Sequence, residues 1–218
     1  MKLSLSRLHY PVHALGPGAR IGIWLQGCSI QCPGCISADT WAKERGWTTV
    51  ETVMAVVAPW LSQADGVTIS GGEPFDQPEA LRALLVRLRA STPGDILVYS
   101  GYSWEALAQH LDACAGLIDA LISDPFEAGA PQTLALRGSD NQRLHCLTPL
   151  GAARFHAYER PLEAADRRLD VLFDEDGTVW LAGIPHRGDM QRLSTLLSDG
   201  GHSASTTEAK FFSKRQQS

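Results

Sequence analysis

Three cysteines crowd into eight residues, as Cys28-Ser-Ile-Gln-Cys32-Pro-Gly-Cys35, and no other feature limits the chain as much. Three thiolates on one tight loop can hold three corners of a cubane iron–sulfur cluster. The fourth iron then lacks a protein ligand and can take a chelating small molecule, which a closed four-cysteine site cannot do. Gly27, Pro33 and Gly34 let the backbone turn tightly around such a group. The spacing also admits a structural zinc ion with a distant fourth ligand such as His145 or Cys146, although zinc sites usually pair two separated Cys-x-x-Cys units and one is present here.

The chain has 218 residues, enough for one domain with an appendage and for a real core. Its five cysteines are an odd number, and the opening MKLSLSRLHYPVH has no apolar run of signal-peptide length. Together these point away from a disulfide framework and toward a reducing, cytoplasmic setting. The net charge of -5 and the lack of a long apolar stretch give no reason to expect a nucleic-acid or membrane partner. Cys114 and Cys146 read as core residues. His145 and His186 read as non-catalytic, and Arg187-Gly188-Asp189 as a helix-start turn.

Strands and amphipathic helices alternate along the first two thirds. Ile21–Leu25, Gly66–Ser70, Asp95–Tyr99 and Leu117–Ile122 read as short buried strands. One helix is expected after Thr48 or Thr49, with Val50, Val53, Met54, Val57, Trp60 and Leu61 on one face. A second starts at Pro78 with Leu81, Leu84, Leu85 and Leu88, and a third is capped by Ser103 and carries Trp104, Leu107 and Leu111. This order predicts a parallel sheet of βα units, with the loops at Gly27, Gly71 and Ser100 converging at the C-terminal strand ends. Beyond Pro149 the pattern changes. Arg168–Phe173 and Thr178–Ala182 flank Asp174-Glu175-Asp176-Gly177 as a hairpin, and a helix with Met190, Leu193, Leu196 and Leu197 follows. The hairpin is largely apolar, so it should pack on the core. The expected organisation is a core over 1–147, a hairpin-plus-helix extension over 148–199 and a flexible tail over 200–218.

Ser70-Gly71-Gly72-Glu73-Pro74 follows a strand one βα unit after the cysteines. Paired glycines there let a ligand approach the backbone, although a Gly-Gly turn alone is common. With Gln26-Gly27-Cys28, Cys32-Pro33-Gly34-Cys35, Asp39-Thr40-Trp41, Ser100-Gly101-Tyr102, Asp124-x-Phe126 and Arg137-Gly138-Ser139-x-Asn141-Gln142-Arg143 in register, residues 9–147 resemble the radical S-adenosylmethionine (SAM) superfamily. Within it they are most similar to the glycyl-radical-enzyme activases, above all those of anaerobic ribonucleoside-triphosphate reductase.

The resemblance implies an α/β fold, an incomplete (β/α)6 barrel with a C-terminal hairpin and helix appended. It implies a [4Fe–4S] cluster on Cys28, Cys32 and Cys35 and SAM chelated to the open iron. It implies a SAM site formed by Gly34, Ile36, Gly71, Gly72, Glu73, Pro74 and Ser100, with no catalytic side chain beyond the cluster. On that footing Gly72→Val should weaken SAM binding and leave the cluster intact. Reductive cleavage of SAM would yield a 5′-deoxyadenosyl radical, used on a glycine of a partner enzyme, with electrons from a low-potential donor such as flavodoxin or ferredoxin. Another peptide or a small molecule as substrate, or a metal-bearing interaction module that is no enzyme, are the competing readings. Ile36 stands where activases often carry His or Tyr, and the stretch from about residue 148 is one that compact activases lack.

Overall fold

Four short apolar runs pair in parallel and form the centre of the molecule. The computed structural model describes residues 1–175 and 177–202. Its elements are β1 (Lys2–Val12), β2 (Arg20–Leu25), β3 (Trp47–Thr49), α1 (Val50–Val57), β4 (Gly66–Gly71), α2 (Pro78–Ser91), β5 (Asp95–Tyr99), α3 (Ala108–Ala113), β6 (Ala120–Ser123), β7 (Arg143–Cys146), α4 (Pro149–Phe155), β8 (Leu169–Phe173), β9 (Val179–Gly183) and α5 (Asp189–Asp199). The main sheet has the order β3-β1-β2-β4-β5-β6-β7. Strands β2, β4, β5 and β6 are parallel, while β1, β3 and β7 pair antiparallel at the two sides. The fold is mixed α/β with a mainly parallel central sheet, and β8 and β9 form a separate hairpin.

Both faces of this sheet are covered, which is why β2 and β6 are buried at every position. On one face Ile21, Ile23, Val67, Ile69, Ile96, Val98 and Leu121 meet the apolar sides of α1 and α2 and the segment around α3. On the other, Phe155 of α4 packs on Leu97, Ala120 and Ile122, and Ala182 of β9 packs on Val12, Leu15 and Trp24. The hairpin thus lies against the sheet as its apolar composition predicts. Because Phe155 is fully buried in the sheet's own packing, a cut at residue 148 would strip a core helix from the parallel strands.

Several boundaries moved for identifiable reasons. The first helix is capped by Thr49, whose side chain accepts the Thr52 N–H (3.1 Å), but it ends at Val57 instead of reaching Leu61. Pro59 cannot continue it, having no N–H to donate. Trp60 instead stacks on Tyr10 of β1, ring centroids 6.0 Å apart. Ser103 caps a turn through the Ala106 N–H (3.3 Å), and the helix itself begins at Ala108. The fourth parallel strand begins at Ala120, not Leu117. Strands β1, β3 and β7 carry too many polar residues to stand out. Cys114 is buried, but Cys146, expected in the core, is exposed on β7 at the sheet edge. The tail expected over 200–218 lies outside the described residues from 203 onward. No described helix is long and apolar enough to cross a membrane.

The N-terminal ends of the strands are tied by a buried charge. Arg20, fully buried, donates to Asp95 Oδ1 (2.6 Å), Thr68 Oγ1 (2.6 Å) and the carbonyls of Val67 (2.8 Å) and Pro17 (3.1 Å). Arg154 of α4 donates to the other Asp95 oxygen (3.0 Å). Breaking a buried pair strands the remaining charge. Arg20→Ala is therefore expected to cost about 3–5 kcal/mol, read as a lowered urea midpoint at unchanged slope.

Candidate active site

All three loops that follow β2, β4 and β5 end at one cavity of about 280 Å³. Cys28, Cys32 and Cys35 line it, together with Gly34, Ile36, Gly71, Gly72, Glu73 and Ser100. Pro74, also expected there, does not line it. It opens a 3-10 turn and is buried beneath.

The cysteine loop is shaped by its neighbours. The Gly27 N–H donates to the Thr40 carbonyl (2.7 Å) and the Cys28 N–H to that of Trp41 (3.1 Å), which gives the Asp39-Thr40-Trp41 motif a structural role. The Cys35 N–H closes the turn on the Cys32 carbonyl (3.1 Å), with Gly34 between them at φ +79°. Gly72 faces the back of this loop. A Cβ there would lie far inside contact distance of the Gly27 carbonyl oxygen, while the Glu73 N–H donates to that same oxygen (2.8 Å). The glycine is required by the approach of two backbones. This corrects the expectation for Gly72→Val, because the side chain would push on the cysteine loop before it met any ligand.

Two carboxylates knit the loops together. Glu73, 1% exposed, accepts the N–H of Phe75 (3.0 Å) and the Ser100 hydroxyl (2.9 Å) on Oε1, and the Gly101 N–H (2.8 Å) on Oε2. Asp76, which sequence reasoning missed, accepts the Ser29 N–H (2.7 Å), the Ser29 hydroxyl (2.8 Å) and the Tyr102 hydroxyl (2.7 Å). Only its place three residues after Glu73 pointed to it. Asn141 and Gln142 hold the loop after β6. Asn141 donates to the Pro125 carbonyl (2.7 Å), and Gln142 Oε1 accepts the Gly138 N–H (2.8 Å).

Burial raises the pKa of all three thiols, that of Cys35 to about 11. The charges that act on them are carboxylates and one another, which raise Cys28 and Cys32 further. Thiolates here need a positive partner, and an iron–sulfur core supplies one. The donor set therefore fits a cluster. It does not fit the zinc reading: His145 stacks on Trp104 (4.1 Å) and bonds Ser123 (3.0 Å), and neither it nor Cys146 reaches the cavity. Among the described residues, no three His, Cys, Asp or Glu side chains gather as ligands of one ion.

The remaining wall comes from the C-terminal region and was not identified residue by residue in the sequence. Leu181, Ile184, Pro185, Arg187 and Met190 line the same cavity as the cysteines. Arg7 of β1 also lines it, set between Trp24 (5.2 Å) and Trp180 (4.5 Å) and paired with Asp39.

A family model for a 4Fe-4S single cluster domain matches residues 14–145. The chain belongs to that family. The anaerobic ribonucleoside-triphosphate reductase-activating protein of Escherichia coli K12 is 32% identical over 149 residues, covering 64% of this chain and 96% of that protein. Its namesake from Enterobacteria phage T4 is 32% identical over 134 residues, 59% of this chain and 85% of its own length. The chain thus belongs with the anaerobic ribonucleoside-triphosphate reductase-activating proteins, enzymes of the activase type, and its core is a 4Fe-4S domain. About a third of it has no counterpart in the Escherichia coli relative. Among solved structures, QueE from Escherichia coli aligns over 47% of this chain and 54% of that one, with TM-score 0.41 and 22% identity, too slight a likeness to add to this.

Two measurements check the site. Gly72→Val should lose cluster incorporation, read as iron and sulfide content after anaerobic reconstitution. The second concerns Glu73, whose carboxyl burial pushes up to about 7 against three donors that lower it. A carboxyl raised on folding makes the folded state bind more protons than the unfolded one between pH 4.5 and 7. Stability of the cofactor-free protein should therefore fall by about 3 kcal/mol as pH rises through that window, then level off. A pH series of urea midpoints should lose this slope in Glu73→Gln.

Proposed function

We propose that this enzyme cleaves SAM reductively and installs a glycyl radical on an anaerobic ribonucleotide reductase. The observation that carries the reading is that three cysteine thiols and the Gly71-Gly72-Glu73 loop line one cavity. The named relatives support the choice of partner.

In this reading Cys28, Cys32 and Cys35 ligate the cluster, and Gly71, Gly72, Glu73 and Ser100 hold the methionine end of SAM. A cluster held there would supply the low-potential electron for reductive cleavage of SAM. Glu73 Oε2 accepts one backbone N–H and keeps acceptor capacity for an ammonium group, whose charge would favour the ionised carboxylate. Gly34 leaves room at the turn, and Ile36, 40% exposed, offers an apolar edge for the adenine. Pro74 acts indirectly by starting the turn that carries Asp76. No side-chain acid or base is needed. Electrons come from a low-potential carrier such as flavodoxin or ferredoxin, in a reducing cytoplasm, consistent with five cysteines that form no disulfide.

We read the four parallel strands as a shortened form of the incomplete (β/α)6 barrel. We place the end of the core after Phe155, with the extension and tail beyond it. A second reading, the same chemistry on another peptide or a small molecule, is favoured by the extra cavity wall from Leu181 to Met190.

The test is anaerobic reconstitution followed by assay with the reductase. About four irons and four sulfides per chain are expected. Cys28→Ala, Cys32→Ala or Cys35→Ala should each abolish them and deoxyadenosine release, while Cys114→Ala and Cys146→Ala should not. Stoichiometric zinc without sulfide would sink the cluster assignment. A glycyl radical signal in the reductase separates the two substrates: deoxyadenosine release without it supports the second.

A further inference from the structure

The segment that leaves β9 links one side of the cavity to the other. Its start is rooted beside β1. Ala182 is buried among Val12, Leu15 and Trp24, and the Asp170 carboxylate of β8 accepts the N–H groups of His13 (2.7 Å) and Ala14 (2.8 Å). The chain then runs along the cavity through Ile184 and Pro185 to the loop that follows β6. There Gln132 Nε2 donates to the Pro185 carbonyl (3.0 Å). The Arg187 guanidinium donates to the carbonyls of Glu127 (3.2 Å), Ala128 and Ala130.

The two ends are held differently. The root is apolar and buried. At the far end the Arg187 bonds lie in solvent, where water competes for each donor and acceptor. Helix α5, which follows at once, buries none of its residues. Releasing the far end therefore uncovers little packed surface, the signature of a segment that opens locally.

We propose that Arg187 is a specificity-determining residue that latches segment 183–188 along the cavity. A small molecule such as SAM reaches the cavity with the latch closed. A polypeptide segment enters when the guanidinium leaves the 127–130 carbonyls. The inference rests on the reading above of a polypeptide substrate. On it, the extension keeps a reactive site shut until a partner docks.

Two variants of the cluster-loaded full chain test it, Arg187→Ala and, at the neighbouring bond, Gln132→Ala. Hydrogen–deuterium exchange over 183–190 should speed up in both, with the parallel strands unchanged. The apparent KM for the reductase in glycyl radical formation should fall by about three- to tenfold, since the open, competent fraction rises. Unchanged exchange in both variants overturns the latch, and it does so without reference to the reaction. Faster exchange with an unchanged apparent KM overturns its part in specificity. A wild-type protein that cleaves SAM but forms no glycyl radical overturns the substrate reading instead and removes the polypeptide gate with it, and the exchange data tell these failures apart.

Discussion

The site depends on the parallel alignment of β2, β4, β5 and β6, because parallel strands deliver their C-terminal loops to one edge. The cysteine loop, the Gly-Gly loop and the Ser100 loop follow three of these strands. Each is irregular backbone with donors to satisfy, and each satisfies them on its neighbours. Glu73 takes donors from its own turn and from the loop after β5, and Asp76 takes donors from the loops after β2 and β5. Two carboxylates thus do for the loops what the hydrogen-bond ladder does for the strands. At the opposite end of the sheet Arg20 and Asp95 cross-link the strands in a similar way with a buried charge pair.

The second face of the sheet carries the packing that completes the cavity wall. In a bare parallel sheet, Trp24 and Leu97 would meet solvent on that side. Here α4 and the β8–β9 hairpin cover them, and the segment after β9 supplies a wall to the cavity. The C-terminal region therefore borders the site and does not stand apart from it. Arg7 belongs to the same arrangement: its guanidinium sits between Trp24 of the sheet and Trp180 of the hairpin and pairs with Asp39 beside the cysteine loop. A shift of the hairpin would be felt by that loop through a single side chain.

Much of the sheet was legible because its strands are buried on both faces, and such strands write themselves as plain apolar runs. Asp95–Tyr99 was read to the residue. Strand β1 was invisible because Arg7 and His9 interrupt its apolar pattern; Trp24 and Trp180 lie against both of them in the fold. Helix α4 was missed because its seven residues show one strong anchor, Phe155, whose partners lie far away in the chain. At the site, the cysteines and glycines announced themselves by spacing. Asp76 did not, since an aspartate near a proline turn has many uses and its three donors come from distant loops.

By itself the sequence located the chemistry: three thiols within eight residues, and a glycine pair after the next strand, mark two of the loops that meet at the cavity. Local spacing suffices there because one loop holds all three cysteines. Only the tertiary structure decided how the cavity is closed. Gly72 turned out to face the Gly27 carbonyl, and part of the cavity wall came from residues more than a hundred positions beyond the cysteines. Such contacts arise from the packing of the extension on the sheet, and no local pattern of apolar or polar residues encodes which side of a sheet a later hairpin will choose.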